Sequence, residues 1–178
     1  VNKRLVETLA GQFIEPYLPF SYKALPADLI VKEIEGGETF IIGDNTKVLA
    51  ADLNHPGGCL GYRIENDGVV FTYCSDVSHY DDRFDPNVLR LAQGADLLVH
   101  DAHFPTMAER NQFSDWGHSC WEEAVQVAIE ARVKTLALFH YAPDLTDEQA
   151  EQILYEARRQ FPNTILAREG AEIELPLR

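Results

Sequence analysis

The chain has 178 residues, enough for one domain with a buried core, and its apolar and charged fractions are those of an ordinary globular protein. Its formal net charge of −14 at pH 7 argues against a broad nucleic-acid surface, which requires clustered Lys and Arg. No apolar run approaches the roughly 20 residues that span a bilayer, and no signal peptide is visible, so no membrane association is expected. The three cysteines are scattered and form no Cys-x-x-Cys motif, which favours reduced thiols and a cytoplasmic location.

The first half of the chain is predicted to form a short helix followed by an antiparallel meander. Leu5, Leu9 and Phe13 recur at helical intervals, which indicates an amphipathic helix over residues 5–13. Three prolines then interrupt regular structure. Strands are predicted at 29–34, 39–42, 47–53, 60–65 and 69–73. The last two strands flank Asn-Asp-Gly at 66–68, a pattern typical of a tight β-hairpin.

After Asp76 the pattern changes to alternating helices and strands. Asp85 before Pro86 is typical of a helix N-cap followed by Pro in the first turn, and it opens a predicted helix over 86–92. Capping-box patterns open two further predicted helices, at Ser119 with Glu122 and at Thr146 with Gln149. Buried or short strands are predicted at 95–100, 135–139, 164–167 and 171–175. This alternation predicts a layered α/β fold with mixed strand directions, in a single domain over residues 1–178.

Polar side chains follow four of the predicted strands. They are His55, Asp76, Asp101 with His103, and His140. Open α/β sheets bind ligands just beyond the carboxyl ends of their strands, so these side chains are expected to share one edge. Imidazoles with a carboxylate are ligands that zinc, manganese or iron accept, and a carboxylate can bridge two ions. The pattern therefore predicts a metal site, although any one of these histidines could instead be a hydrogen-bonded residue at the rim of the sheet.

Several segments resemble motifs of metallo-β-lactamase-fold hydrolases and follow that family's order. Residues 54–63 read Asn-His-Pro-Gly-Gly-Cys-Leu-Gly-Tyr-Arg, which is similar to the family's His…Gly-Tyr-Arg segment. Cys-Ser-Asp at 74–76 resembles the family's Gly-Asp motif, and His-Asp-Ala-His-Phe at 100–104 resembles its His-Glu-Ala-Thr-like segment. Gly-His-Ser at 117–119 resembles its Gly-His-Ser element. Leu-Phe-His at 138–140 resembles the segment with its last metal-binding histidine, and Ala-Arg-Glu-Gly at 167–170 resembles its closing strand.

The branch that these motifs resemble is the phosphodiesterase-like one, which includes the tRNA 3′-processing endonuclease and the phosphodiesterase of the carbon–phosphorus lyase pathway. The resemblance implies a metallo-β-lactamase-type αββα sandwich. This chain would form mainly its C-terminal half, with helices packed on the outer face of a mixed sheet. It also implies a hydrolase in which a dinuclear metal centre activates water.

The resemblance assigns roles residue by residue. His55 would bind the first metal ion, Asp76 would bridge both ions, and His140 would bind the second. Asp101 and His118 would form an outer catalytic pair that handles the proton at the scissile phosphate. The implied cofactors are two divalent metal ions, zinc first, with manganese or iron as alternatives. The resemblance implies a phosphodiester or a similar ester as substrate, and the acidic charge favours a small one.

The chain departs from the family pattern in one respect, because none of its six histidines stands in a His-x-His-x-Asp-His motif. With Val1 as its first residue, the chain is expected to be the C-terminal part of a longer protein, active only when complete. An uncovered apolar sheet face is then expected, which would favour a homo-oligomer. His103 replaces a typical Thr and receives no role, whereas His79 matches no motif and is expected in a surface loop.

Other interpretations stay open. The chain could belong to a non-catalytic binding or assembly subunit that retains the fold without a complete metal site. It could also be an unrelated α/β domain whose histidines coincide at strand ends. Within the hydrolase interpretation, the acidic charge disfavours nucleic acid as the substrate without excluding it, and antibiotic hydrolysis is a weaker alternative.

Overall fold

The computed structural model of the protein describes residues 5–176, so the first four and last two residues of the predicted domain lie outside the described range. Within that range, seven strands form one mixed sheet whose spatial order follows the chain, from β1 to β7. This confirms the predicted α/β class with a mixed sheet. In the same range, no helix has the length and apolar character needed to cross a membrane.

The strands are β1 (Thr39–Ile42), β2 (Thr46–Leu53), β3 (Cys59–Asn66), β4 (Val69–Cys74), β5 (Leu97–Asp101), β6 (Thr135–Phe139) and β7 (Thr164–Leu166). The helices are α1 (Leu5–Gln12), α2 (Pro86–Ala92), α3 (Met107–Gln112), α4 (Trp121–Glu130) and α5 (Asp147–Gln160), and short 3₁₀ turns occupy Tyr22–Ala24 and Ser114–Trp116.

The sheet changes direction at β4, and this change determines which strand ends meet. Strands β1 to β4 pair antiparallel, whereas β4 to β7 pair parallel through helical crossovers. The turn between β3 and β4 has positive φ at Asp67 and Gly68, as a two-residue hairpin turn of type I′ requires. Because β2 runs parallel to β4, the carboxyl ends of β2, β4, β5 and β6 lie at one edge, as the sequence predicts.

The main core lies between one face of the sheet and helices α2, α4 and α5. Leu98, Leu136 and Leu138 project from β5 and β6 into it and are fully buried. The predicted apolar faces of α4 and α5 are buried against them: Ala124, Val127, Ala128, Ala131, Ala150, Ile153, Leu154 and Ala157. Burying each large aliphatic side chain stabilises the fold by roughly 1.5–3 kcal/mol, so this layer holds the strands in register.

The opposite face of the sheet carries a smaller apolar cluster. Leu97, Val99 and Ala137 are buried there, while Phe71 and Tyr73 with their neighbours are half-buried. The rings of Phe71 and Tyr73 lie 6.5 Å apart and pack against this cluster, and the expectation of an uncovered apolar face stays a prediction.

Two predicted strands do not form. Residues 29–34 have no strand pairing, and Ile30 is 94% exposed. Residues 171–175 are also irregular. Both segments have apolar, β-favouring compositions, but strand preference depends on having a neighbouring strand to pair with and pack against. Neither segment has one among the described residues.

Two helix assignments also change. The capping box of α4 is formed by Cys120 and Glu123, not by Ser119 and Glu122: the Cys120 N–H donates to Glu123 Oε2 at 3.0 Å. Ser119 instead donates its hydroxyl to Val77 O at 2.6 Å, which ties the start of α4 to the segment after β4. Helix α3, capped by Thr106, was not predicted.

Candidate active site

All five residues that the sequence analysis singles out lie at the predicted sheet edge. His55 follows β2, Asp76 follows β4, Asp101 ends β5, His140 follows β6, and His118 precedes α4. His55, Asp76 and His118 each present a possible ligand atom within 4.8 Å of the other two. Strand topology thus brings together residues that are far apart in the chain.

Asp76 and His140 have the spacing of two ligands on one ion. His140 Nε2 lies 3.6 Å from Asp76 Oδ1. Two donors bound at about 2.0–2.1 Å in a tetrahedral zinc site lie about 3.4 Å apart. Ser75 donates its hydroxyl to the other Asp76 oxygen at 2.5 Å, which orients the carboxylate. This donor pair therefore fits a divalent cation with little rearrangement.

His55 lies on the turn after β2, close to Gly57 and Gly117. Its Nδ1 accepts a solvent-exposed hydrogen bond from Gly57 N–H at 3.2 Å, which leaves the ring proton on Nε2. Binding a cation through either nitrogen would require that exposed bond to break, because Nδ1 would then either bind the ion or carry the ring proton. Gly117, at φ +87°, packs so closely that an added Cβ would overlap the Pro56 ring and lie 2.9 Å from His55 Cδ2.

Asp101 and His118 form a hydrogen-bonded pair, so the two side chains that the resemblance pairs are within reach of each other. The fully buried Asp101 accepts from His118 Nδ1 at 2.7 Å, from Val77 N–H at 3.1 Å and from His103 N–H at 2.9 Å. Burial lowers the pKa of His118, but the hydrogen bond and charge of Asp101, aided by Asp76, outweigh it and raise that pKa above its ordinary value. Because Nδ1 of His118 is bonded to Asp101, Nε2 is the ring nitrogen that is available to carry and donate a proton.

The ring planes separate the roles of His118 and His140. These rings stack with centroids 4.8 Å apart and planes inclined by 22°. An imidazole binds metal along a lone pair in its ring plane, so two nearly parallel, stacked rings do not converge on one ion at about 2.0 Å. The stacking therefore opposes His118 and His140 as ligands of the same ion.

His140 has an unusual backbone. Its φ is +61°, in the left-handed region that costs a residue with a side chain about 1–2 kcal/mol. Such strain at a site persists only where surrounding contacts hold it.

His103 lies in the site although sequence analysis gave it no role. It is buried, its ring lies 4.6 Å from that of His118, and its Nδ1 bonds to His140 O at 3.2 Å. The signal available in the sequence was its position, two residues after Asp101 at the same sheet edge.

The expectation that His79 lies in a surface loop is wrong. Its side chain is only 3% exposed and stacks on the buried His100, with ring centroids 5.3 Å apart. His79 Nδ1 accepts from Asp85 N–H at 3.0 Å, and burial, followed by the charges of His100 and Arg110, lowers its pKa well below the ordinary value. A loop that crosses the end of a core helix buries its polar residues, and composition alone does not reveal that.

Two of the three cysteines, Cys74 and Cys120, are buried and act as packing residues. Cys59 is half-buried, with its Sγ 4.0 Å from Asp76 Oδ2. Burial and the charge of Asp76 raise the pKa of Cys59, so the thiol stays protonated.

A cavity of about 910 Å³ lies between the loop after β4 and helices α2, α3 and α4. Its walls include Tyr80, Phe84, Met107 and Arg110, and none of the five predicted site residues lines it. Chemistry is better assigned to the sheet edge, where His55, Asp76 and His118 present ligand atoms within 4.8 Å of one another, than to this cavity, whose described lining residues form no such group.

Comparison with known proteins identifies related sequences and folds. Residues 2–141 match the family described as "Beta-lactamase superfamily domain". A ribonuclease Z from Synechocystis sp. is 34% identical over 157 residues, which cover 86% of this chain and 44% of that protein. The chain thus spans about half the length of the curated relatives that it matches.

Solved structures share the fold. The metallo-beta-lactamase fold protein YhfI from Bacillus subtilis aligns with a TM-score of 0.65 and 22% identity, over 78% of this chain and 53% of that one. A diphosphatase from the PhnP family aligns with a TM-score of 0.60 and 22% identity, over 88% and 53% of the two chains.

Proposed function

Because this chain belongs to the beta-lactamase superfamily, we propose that it carries one side of the active site of a metal-dependent hydrolase that cleaves phosphodiester bonds. The observation that carries the proposal is that His55, Asp76 and His118 present ligand atoms within 4.8 Å of one another, with His140 Nε2 3.6 Å from Asp76 and Asp101 bonded to His118. The Asp101–His118 pair favours catalysis over a binding module because it places a proton-transfer group beside the ligand cluster.

His55, Asp76 and His140 are the residues that would hold two divalent cations. His55 would serve the first, Asp76 both, and His140 the second. When bound, such ions supply Lewis acidity, which makes hydroxide available near neutral pH and offsets charge on the phosphate. Zinc suits imidazole and carboxylate donors, and manganese or iron would also be accepted.

The number of metal-binding donors in this chain implies that additional ligands complete the site. Three residues shared between two ions give fewer than the three protein ligands that each catalytic ion commonly has. Further ligands would come from residues outside this chain, and the complete protein would then be the active species.

His118 would donate the proton that the leaving oxygen of the diester takes up. Its Nδ1–H is held by Asp101 at 2.7 Å, which leaves Nε2 free, on a ring centred 5.3 Å from that of His55, to donate to the leaving oxygen of a cleaved diester. Asp101 keeps that ring in one tautomer and orientation. It is completely buried, which strengthens the bond and prevents it from exchanging with water.

The substrate class is supported by the relatives. A relative named ribonuclease Z acts on RNA, whose backbone is a phosphodiester. The net charge of −14 gives this chain no general attraction for a polyanion, which favours a small diester over a long nucleic acid.

The test uses the complete gene product with four substrates: a chromogenic phosphodiester, a cyclic nucleotide, a short RNA and a chromogenic lactam. We expect hydrolysis of a diester that a chelator abolishes and a divalent cation restores. The His118→Asn variant should lose activity, whereas Gln126→Ala, on the exposed side of α4, should retain it.

Metal-loaded protein that hydrolyses none of the diesters would overturn the proposal and favour a non-catalytic subunit. Hydrolysis of the lactam alone would overturn the substrate class.

A further inference from the structure

Three hydrogen bonds join the loop after β5 to the end of β6 and the segment that follows it, and they centre on His103. Ala102 N–H donates to Phe139 O at 2.8 Å, and Ala142 N–H donates to His103 O at 3.2 Å. Between these two backbone bonds, the side chain of His103 bonds through Nδ1 to His140 O at 3.2 Å. His140, with its left-handed backbone, is thus bracketed on both sides and held at its own carbonyl.

The bond to His140 fixes the tautomer of His103. A carbonyl oxygen can only accept, so Nδ1 of His103 must carry the proton. A φ of +61° is unfavourable for a residue with a side chain, and this side-chain bond is one of the contacts that hold it. Without the bond, the His140 backbone could relax and carry its imidazole away from Asp76, which now lies 3.6 Å from Nε2.

His103 also contacts the proton-donating pair. Its N–H donates to Asp101 Oδ1 at 2.9 Å, while the other oxygen of Asp101 accepts from His118. Its ring stacks on that of His118 with planes inclined by 25°. One buried residue therefore connects the candidate metal ligand with the pair that would handle the proton.

We propose that His103 is a positioning residue: it holds the left-handed backbone of His140 through the bond from Nδ1 to the His140 carbonyl, and so sets the geometry in which His140 and Asp76 bind a divalent cation. The proposal rests on the proposed function, because it takes His140 as a metal ligand. It assigns His103 no contact with the cation or the substrate.

Direct ligation of the cation is the alternative role for His103, because His103, His118 and His140 each present a nitrogen within 4.8 Å of the others. Two features oppose it. Nδ1 of His103 is used by the His140 carbonyl, and the ring lies nearly parallel to its stacked neighbour His118. A lone pair in that ring plane does not point toward an ion shared with the neighbouring ring.

Two substitutions separate positioning from ligation. His103→Asn retains an N–H at the place of Nδ1 but has no atom equivalent to Nε2. His103→Phe retains the ring volume but has no donor. Affinity for Co²⁺ and the visible spectrum of the Co²⁺ complex would be measured on the complete gene product, with thermal unfolding of the metal-free variants as the control for folding.

We expect His103→Phe to bind Co²⁺ roughly 10–100-fold more weakly, the range for residues that orient a metal ligand, with an altered spectrum. His103→Asn should stay within about threefold of wild type, since it preserves the same orienting bond. Equal losses in both variants would assign His103 as a ligand and overturn the proposal. Unchanged affinity and spectrum in His103→Phe would also overturn it.

A metal-free measurement tests the hydrogen bond in the wild-type protein and does not depend on how the variants fold. Long-range ¹H–¹⁵N correlation of the histidine rings should show His103 protonated at Nδ1, and the Nε2-protonated tautomer would overturn the proposal. Wild-type protein that binds no Co²⁺ would refute the proposed function itself, whereas normal binding with the wrong tautomer would refute only the role of His103.

Discussion

Replacing Asp101 by Asn changes one atom of a buried side chain and should weaken both folding and catalysis. The carboxylate accepts three hydrogen bonds, from His118 Nδ1, Val77 N–H and His103 N–H. An amide has only one oxygen. Whichever way it turns, its NH₂ group faces at least one buried backbone N–H, which then lacks an acceptor.

The loss of stability follows from the number of buried donors that are left without an acceptor. A buried donor left without an acceptor costs about 1–3 kcal/mol, so we expect Asp101→Asn to lower the free energy of unfolding by about 2 kcal/mol. The pKa of His118 should fall, because the carboxylate that raises it is gone. With His118 no longer oriented as a proton donor, hydrolysis should slow by roughly 10²–10⁴-fold.

The pH dependence has a definite sign. In the wild type the folded-state pKa of His118 lies above its ordinary value of 6.5, so its protonation stabilises the fold below that pH. This contribution is lost as the pH rises through the folded-state pKa. The destabilisation by Asp101→Asn should therefore be larger at about pH 6 than at about pH 9.

The assay combines urea unfolding at both pH values with NMR titration of His118 in metal-free protein. Asp96→Asn is the matched control: Asp96 is also buried, immediately precedes the same strand at its other end, and accepts from Val70 N–H at 2.8 Å and Lys134 Nζ at 2.7 Å. It should cost stability without moving the pKa of His118. An unchanged His118 pKa in Asp101→Asn, or an equal shift in Asp96→Asn, would refute the reasoning.

Further predictions concern the loop at His55 and the buried His79. Gly117→Ala should destabilise the fold by about 2 kcal/mol and weaken metal binding, because its Cβ would displace Pro56 and His55. Gly58→Ala, which shares the positive φ but faces open space, should cost only about 1 kcal/mol and leave metal affinity unchanged, as measured by urea unfolding and metal titration. The folded-state pKa of His79 lies well below 6.5, so the stability associated with its neutral form is present above that pH and is lost as the pH falls. His79→Phe should therefore show a shallower fall in unfolding free energy between about pH 7 and pH 5, and an unchanged slope would contradict this assignment.

The sequence correctly predicted the elements that are determined by contacts between residues close together in the chain. The hairpin at residues 66–68 and the capping box of Thr146 with Gln149 form as predicted, because their determining contacts lie within a few residues. The strand predicted at 29–34 failed because its formation depends on a partner strand that sequence pattern alone does not supply.

The site was predictable to the extent that topology could be inferred. Placing His55, Asp76 and His140 at strand ends required only the strand pattern and the rule that such ends share an edge. The burial of His79 and the contact of His103 with His140 depend on how loops fold over the core. Neither residue carries a periodicity or motif that would reveal it.

Metal analysis of the complete gene product beside its His140→Ala variant tests the central claim most directly. The proposed site predicts close to two divalent ions per chain in the wild type, falling toward one in the variant, with the unfolding midpoint of the metal-free proteins compared as a control. No bound metal in either protein, or the same metal content in both, would contradict the assignment of this sheet edge as a metal-dependent active site.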